Sequence, residues 1–208
     1  MRIANLYSHL NGYEYMLVHR PNLMDEIEMA IAKIDANCFT KISKAKPTFG
    51  KILYDQKALN REFECILFPQ GWQSVTTPYY VTDDISTARE IANIRDKEEQ
   101  RAIILQRGYT PYRTNNQVDF VKDRVAVEVQ FGKYFSVAYD LHVKHTFFFL
   151  RNDIDVGIEI IPTRDMCVKM DTGVAWFENE VANVIREGRS NPTVPIVMIG
   201  IEPETIAI

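Results

Sequence analysis

Two acidic residues, Asp119 and Glu128, lie in neighbouring apolar stretches and could together hold a divalent cation. The polar break at residues 122–124 predicts a tight antiparallel turn centred between Asp123 and Arg124, which sets Asp119 opposite Glu128. The Cβ atoms of such a pair lie about 5 Å apart. Two carboxylates at this distance repel each other, and each raises the pKa of the other unless a positive group lies between them. A divalent cation is the economical explanation.

The strand that carries Glu128 has one apolar face, and its other face differs from that of an ordinary solvent-facing strand. Valines at every second position alternate with Ala126, Glu128 and Gln130, as in a strand that buries its valine face. Glu128 and Gln130 therefore share the other face, where Ala126 also differs from the polar residues of an ordinary solvent-facing strand. Asp-x8-Glu-x-Gln has the layout of a nuclease core that holds Mg²⁺ at a phosphodiester, with Gln130 where that pattern most often has Lys. The alternative is an ordinary pair of acids on the solvent face of a hairpin.

Five segments spread over nearly the whole chain carry a resemblance to a known family. They are Met1-Arg-Ile3, Tyr7-Ser-His-Leu-Asn-Gly-Tyr-Glu-Tyr15, Asp119-Phe-Val-Lys-Asp-Arg-Val-Ala-Val-Glu-Val-Gln-Phe-Gly-Lys-Tyr134, Asn183-Val-Ile-Arg-Glu-Gly-Arg189 and Ile199-Gly-Ile201. Through these segments the chain resembles the type II restriction endonucleases of the BglII/BstYI group, and within that group the BstYI branch most. The identity over these segments is more specific than the spacing of the two acids.

The resemblance implies a restriction-endonuclease-like PD-(D/E)xK core and a Mg²⁺-dependent homodimer that cuts both strands of double-stranded DNA at a short palindrome. In that group the residues matching Asp119 and Glu128 are metal ligands, and Gln130 occupies the third catalytic position. Because Mg²⁺ prefers oxygen ligands, the backbone carbonyl of Val129 is expected as a further ligand. We expect no nucleotide cofactor.

The BstYI branch implies the target Pu-GATC-Py, cut after the outer purine to leave four-base 5′ overhangs. Lys133 and Thr172 match positions near the outer base pair in this group. An ammonium is a pure donor and can contact N7 of either purine, whereas a hydroxyl can donate or accept. Both residues would therefore tolerate adenine or guanine. The alternative for Lys133 is a phosphate contact.

A second group of candidate DNA contacts is a basic segment without acidic residues. It contains Lys41, Lys44, Lys46 and Lys51. Such a loop could reach phosphates, which would offset the net charge of −4 that otherwise argues against a nucleic-acid-binding protein. An ordinary solvated loop is the alternative.

Length and composition predict one globular domain, or one domain with a small subdomain, over residues 1–208, because 46% hydrophobic and 25% charged residues are typical of a chain with a substantial core. The three cysteines are widely spaced, which favours free thiols in a reducing cytoplasm. No apolar stretch is long enough to span a bilayer and no N-terminal signal is visible, so we expect a cytoplasmic protein with no membrane partner.

The hydrophobic periodicity predicts alternating helices and strands without repeats. Residues 2–8 and 13–19, joined across Asn11-Gly12, predict a first hairpin. Residues 20–110 are expected to be mostly helical, and the catalytic hairpin covers 117–131. The remaining predicted elements are a helix over 135–150, a strand over 154–161, a helix over 173–187 and a strand over 196–201. Together they predict an α/β fold with a mixed β-sheet flanked by helices.

Two further groups of polar residues are assigned structural roles. Asp153, Asp155 and Glu159 could form a second acidic cluster, because Asp155 and Glu159 share a strand face. No opposing acid from a partner strand is apparent, so we expect a solvent-facing strand. His142 and His145 lie three apart on the predicted helix, which would permit joint metal binding. No third ligand is apparent in the sequence, so packing or capping is expected of both.

Two functions of other classes remain open from the sequence. One is a repair or junction-resolving nuclease on the same core, which would cleave according to DNA shape. The other is a catalytically silent DNA-binding module, which would show no metal-dependent cleavage.

Overall fold

The computed structural model describes residues 1–205 of the chain. The strands are β1 (Arg2–His9), β2 (Thr40–Ile42), β3 (Ile52–Tyr54), β4 (Gln73–Val81), β5 (Tyr112–Lys122), β6 (Val125–Val129), β7 (Val156–Pro162) and β8 (Ile196–Glu202). The helices are α1 (Gly12–His19), α2 (Pro21–Lys33), α3 (Gln56–Leu67), α4 (Ile85–Ile91), α5 (Lys97–Gln106), α6 (Tyr134–Tyr139), α7 (Thr146–Leu150), α8 (Arg164–Cys167) and α9 (Phe177–Glu187). A π-helical segment, Asp140–His145, joins α6 to α7.

Six strands form one mixed sheet in the order β1-β8-β7-β6-β5-β4. The pairs β6–β7 and β7–β8 are parallel, whereas β5–β6 and β1–β8 are antiparallel. Strands β2 and β3 form a separate two-stranded sheet. The predicted α/β fold with a mixed sheet flanked by helices is confirmed.

The described residues divide into two compact units. One contains residues 1–73 and residues from 119 onward, and the other contains residues 74–118, with β4, α4, α5 and the first part of β5. All candidate site residues belong to the first unit. The range 20–110, expected to be mostly helical, contains α2 to α5 and also the strands β2, β3 and β4.

The hydrophobic core of the first unit has two parts. One contains the valines of β6 together with side chains of α2 and α3, such as Ile27 and Phe63. The other contains Val137 and Leu141 from the predicted 135–150 helix and Val184 from α9. The central strand β6 is buried at every residue. Glu128, which lies on this strand, therefore has little access to solvent.

The predicted N-terminal hairpin over residues 2–19 is wrong. Strand β1 pairs with β8, far away in the sequence, and residues 12–19 form helix α1. Asn11 has a φ of 61°, so Asn-Gly reverses the chain as in a turn, but the residues that follow become helical. A Cβ on Gly12 would lie 2.6 Å from the carbonyl oxygen of Ile196, so this close approach to β8 requires glycine. Tertiary packing, which the local turn signal does not contain, decides the outcome.

None of the helices within residues 1–205 is long and apolar enough to cross a membrane.

Candidate active site

The predicted register of the catalytic hairpin is confirmed. Phe120 pairs with Val127 and Lys122 pairs with Val125, which places Asp119 at the next step beside Glu128. The oxygen Oδ2 of Asp119 lies 3.5 Å from the backbone nitrogen of Val129. The side chain of Glu128 is only 1% exposed, whereas Asp119 is half-buried. The two acids therefore meet at the edge of the core, with Asp119 on the more accessible side.

The turn of this hairpin is held by side chains from elsewhere in the unit. Asp123 and Arg124 have φ angles of 44° and 68°, the signs that a type I′ turn requires. The guanidinium of Arg124 donates to Asp155 Oδ1 at 2.7 Å from Nη2, and the Tyr15 hydroxyl donates to Asp155 Oδ2 at 3.0 Å. The hydrogen bonds from Arg124 and Tyr15 hold the pKa of the Asp155 carboxyl below its usual range. These contacts fix the turn, and with it the alignment of the two acids.

Burial gives Glu128 unusual electrostatics. Loss of hydration raises the pKa of its carboxyl from 4.5 to about 9, with further contributions from the nearby charges of Asp119 and Asp140. The ammonium of Lys144 opposes this rise, because Nζ lies 3.0 Å from Glu128 Oε1. The same nitrogen lies 2.7 Å from Asp140 Oδ1. Burial lowers the pKa of Lys144, but Glu128 and Asp140 outweigh that effect and raise it overall, so the ammonium stays charged.

Gln130 is tied to the same group of side chains. Its Nε2 donates to Asp140 Oδ2 at 2.6 Å, and its Oε1 accepts from the backbone nitrogen of Gly132 at 2.8 Å. These two bonds fix which end of the amide is the donor. Asp140 thus links Gln130 to Lys144, and Lys144 links both to Glu128.

The expectation that Glu159 faces solvent is wrong. Glu159 is fully buried and lies beside Glu128 in the parallel register of β6 and β7. Its Oε2 lies 3.3 Å from Nε2 of His145, which is also fully buried. Burial lowers the pKa of His145 to about 3 and raises that of Glu159 well above its usual value, so burial disfavours the charged form of each side chain. The expected packing role of His145 agrees with this position.

Sequence reasoning missed Asp140 and Lys144. Both lie on the predicted 135–150 helix and are four positions apart, a spacing that places opposite charges side by side. Each is followed directly in the sequence by a residue that is buried, Leu141 or His145. This position beside the apolar side of the helix is the signal that distinguishes them from a solvent-facing pair. The π-helical conformation of this segment was not predictable from the periodicity, and such segments are frequent at functional sites.

The carboxylates of Asp119 and Glu128 fit a divalent cation. Burial raises the pKa of Glu128, and the negative charge of Asp119 raises it further, so a positive charge near both carboxylates would favour their ionised forms. A hard cation with oxygen ligands would supply that charge. Within residues 1–205 there is no cluster of three or more His, Cys, Asp or Glu side chains suited to a metal ion. Asp119 and Glu128 supply two side-chain ligands, so backbone, water or substrate oxygens would have to complete the coordination of the cation.

Four of the six candidate DNA contacts line one groove of about 530 Å³. They are Lys41, Lys44, Lys133 and Thr172. The ammonium of Lys133 donates to the carbonyl oxygen of Thr172 at 2.6 Å, and Lys41 lies 2.8 Å from Oδ2 of Asp171. Asp171, which sequence reasoning missed, therefore ties β2 to the segment that carries Thr172.

The other two lysines, Lys46 and Lys51, are exposed but are not among the residues that line this groove. Lys46 begins a short 3₁₀ turn between β2 and β3, and Lys51 immediately precedes β3. The predicted basic loop is thus the connection of a small β-hairpin.

Comparison with known proteins agrees with this architecture. The sequence profile described as "Restriction endonuclease BglII/BglIII" matches residues 4–201. The fold is similar to a crystal structure of the restriction endonuclease BglII complexed with a DNA 16-mer, with a TM-score of 0.68 and 20% identity, over 99% of this chain and 81% of that one. A structure of free BglII gives a TM-score of 0.60 and 18% identity, over 99% and 82% of the two chains. No curated protein sequence matches significantly.

The family profile covers nearly the whole chain, and the two structural similarities support the same fold. Restriction endonucleases bind DNA, and they generally use divalent metal ions. The expectation of a site-specific deoxyribonuclease is thereby confirmed. The chain belongs to the BglII/BglIII family of restriction endonucleases.

Proposed function

We propose that this restriction endonuclease is a Mg²⁺-dependent homodimer of the BstYI type. It cuts Pu-GATC-Py after the outer purine and leaves four-base 5′ overhangs. The observation that carries the proposal is the type I′ hairpin that sets Asp119 beside the buried Glu128, on a chain whose family cleaves DNA at specific sites.

Asp119, Glu128 and the backbone carbonyl of Val129 would hold the Mg²⁺ ion, which when bound supplies Lewis-acid polarisation of the scissile phosphate. Glu128 must lose its proton to act as a ligand, and the ammonium of Lys144 favours that loss. Gln130 cannot accept a proton at neutral pH. Its remaining N–H is proposed to orient the attacking water or a phosphate oxygen, because the bonds to Asp140 and Gly132 fix the amide.

DNA is proposed to lie across the groove formed by Lys41, Lys44, Lys133 and Thr172. Lys133 and Thr172 would contact the outer base pair, where a donor to purine N7 accepts adenine or guanine. The exposed Lys44, together with Lys46 and Lys51, would contact phosphates. Lys41 is already paired with Asp171, so its contribution would be to position the β2–β3 hairpin as well as to attract phosphate.

The homodimer is supported by an apolar stripe on the helical segment from α6 to α7. Phe135, Tyr139 and Val143 recur at intervals of four residues and are 62%, 45% and 38% exposed. Large exposed apolar side chains in one row are typical of an interface. A second copy of this chain is the proposed occupant, because a two-fold dimer presents one active site to each strand of a palindrome.

The proposal is tested by digesting a long, sequenced, unmethylated duplex with purified protein and Mg²⁺ and mapping the ends. We expect recurrent ends at Pu-GATC-Py with four-base 5′ overhangs. Recurrent ends at another sequence would refute the target but keep the enzyme class. Cleavage only at branched or damaged DNA would favour a structure-specific nuclease, and no cleavage would favour a silent binding module. The Asp119→Ala protein serves as the control for contaminating nuclease.

A further inference from the structure

Lys144 is held between two carboxylates of the candidate active site. Its ammonium approaches from the π-helical segment and lies 3.0 Å from Glu128 Oε1 and 2.7 Å from Asp140 Oδ1. The side chain is 19% exposed, whereas both carboxylates are 1% exposed. Lys144 therefore does not form a surface ion pair, because both of its acidic partners lie inside the protein.

We propose that the Lys144 ammonium is the built-in second cation of the catalytic centre, which occupies the space between Glu128 and Asp140 and confines the exchangeable cation to the Asp119 side of Glu128. The inference rests on the proposed cation site at Asp119 and Glu128. It assigns a positioning role to Lys144 and implies one exchangeable divalent ion per protomer.

The charges of the site support this assignment. Asp119, Glu128 and Asp140 carry three negative charges when ionised, and Lys144 carries one positive charge. One divalent ion then balances the site, whereas two divalent ions together with the ammonium would leave an excess of positive charge inside the protein. Burying unbalanced charge is costly.

The hydrogen bonds around Asp140 support it as well. One oxygen of Asp140 accepts a hydrogen bond from Lys144 and the other accepts one from Gln130, so both oxygens already have a partner. Position 130 carries an amide, which has no charge, and Lys144 brings a positive charge to the same carboxylates from a different element. Without the ammonium, two buried carboxylates would face a gap, and a divalent cation with oxygen ligands would fit there.

The test counts bound Mn²⁺ per protomer by paramagnetic resonance of the free ion, in the absence of DNA. We expect one equivalent for the unaltered protein and none for Asp119→Ala. Lys144→Ala should bind a second equivalent, because the vacated space between Glu128 and Asp140 admits a cation. Lys122→Ala is the matched control, because Lys122 is a half-buried lysine that pairs with a single carboxylate, Glu26, at 2.7 Å. Its stoichiometry should not change.

Cleavage kinetics supply a second measurement. Lys144→Ala should lower kcat by about 10–100-fold in Mg²⁺, the usual effect of losing a group that orients a metal ligand, with a smaller change in KM for DNA. Lys144→Arg keeps one positive charge, so it should retain a single equivalent of Mn²⁺ and recover part of kcat. A lysine with a purely structural role would lower the melting temperature without changing the number of bound ions.

Three results would be decisive. A second Mn²⁺ equivalent in Lys144→Ala, absent from Lys144→Arg and Lys122→Ala, supports the inference. A single equivalent in Lys144→Ala overturns it and leaves the proposed function intact. If the unaltered protein binds no Mn²⁺ that depends on Asp119, both the cation site and the inference fail. Should Lys144→Ala not fold, Lys144→Gln replaces it with the same expectations, because its amide oxygen can itself be a ligand.

Discussion

Replacement of Glu128 by glutamine should make the metal-free protein more stable, although it removes a proposed catalytic residue. Burial raises the pKa of the Glu128 carboxyl from 4.5 to about 9 in the folded protein. Between these two values the unfolded chain releases a proton that the folded chain retains. The folded state therefore loses stability as the pH rises from about 4.5 towards 9, and this loss is absent at lower pH.

The size of the effect follows from the shift. A pH of 7 is about 2.5 units above the usual pKa of the carboxyl, and each unit corresponds to about 1.4 kcal/mol. The free energy of unfolding is therefore lower at pH 7 than at low pH by about 3 kcal/mol. Glutamine is nearly isosteric with glutamate and carries no charge, so it removes this penalty. It also weakens the bond to the Lys144 ammonium, which costs about 1 kcal/mol. We expect the free energy of unfolding to rise by about 2 kcal/mol at pH 7.

The measurement is urea unfolding followed by circular dichroism in EDTA, at pH 5, 7 and 8 and at one protein concentration. The gain in Glu128→Gln should increase from pH 5 to pH 8, and added Mg²⁺ should stabilise only the unaltered protein. Glu64→Gln, at an exposed position on α3, is the control and should show no pH-dependent gain. The reasoning is refuted if Glu128→Gln is less stable than the unaltered protein at pH 8, or if the difference between them is independent of pH.

Three further predictions concern activity and assembly. Asp119→Ala should abolish cleavage in Mg²⁺ without loss of fold, whereas Gln130→Ala should retain traces of activity; near-normal cleavage by Asp119→Ala would exclude its role as a ligand. Lys133→Asn should change the relative preference among AGATCT, GGATCC and the mixed site, whereas a uniform loss with a shallower salt dependence would mark Lys133 as a phosphate contact. Phe135→Glu together with Tyr139→Glu should convert the dimer to a monomer in sedimentation, and an unchanged dimer would place the interface elsewhere.

The sequence predicted the hairpin register because everything that determines it is local. The valine alternation and the turn residues lie within a few positions of Asp119 and Glu128, and the pairing of β5 with β6 agrees with them. The N-terminal hairpin was predicted from an equally local signal and failed, since β1 pairs with β8. A turn signal indicates where the chain reverses direction, but it does not identify the strand that provides the hydrogen bonds.

The surroundings of the two acids were not predictable in the same way. Glu159 lies beside Glu128 only because β6 and β7 are parallel and in register, and that pairing depends on a crossover of more than twenty residues. Lys144 and Asp140 lie on a π-helical segment, whereas the periodicity indicated only a helix. Charge compensation across a sheet is a property of the assembled fold, which a pattern along one strand does not contain.

Asp119 and Glu128 are closer to each other in the sequence than Lys144 is to either of them, and this affects the order of folding. A hairpin closes in about 1–10 microseconds, whereas contacts between distant segments form more slowly because a larger loop must close first. Asp119 and Glu128 are therefore expected to meet before the helical segment brings Lys144, so the growing structure passes through a stage in which its acids repel each other without a counter-charge. Mg²⁺ in the refolding buffer should speed this stage, and equal refolding rates in Mg²⁺ and in EDTA would show that the hairpin closes only after Lys144 has arrived.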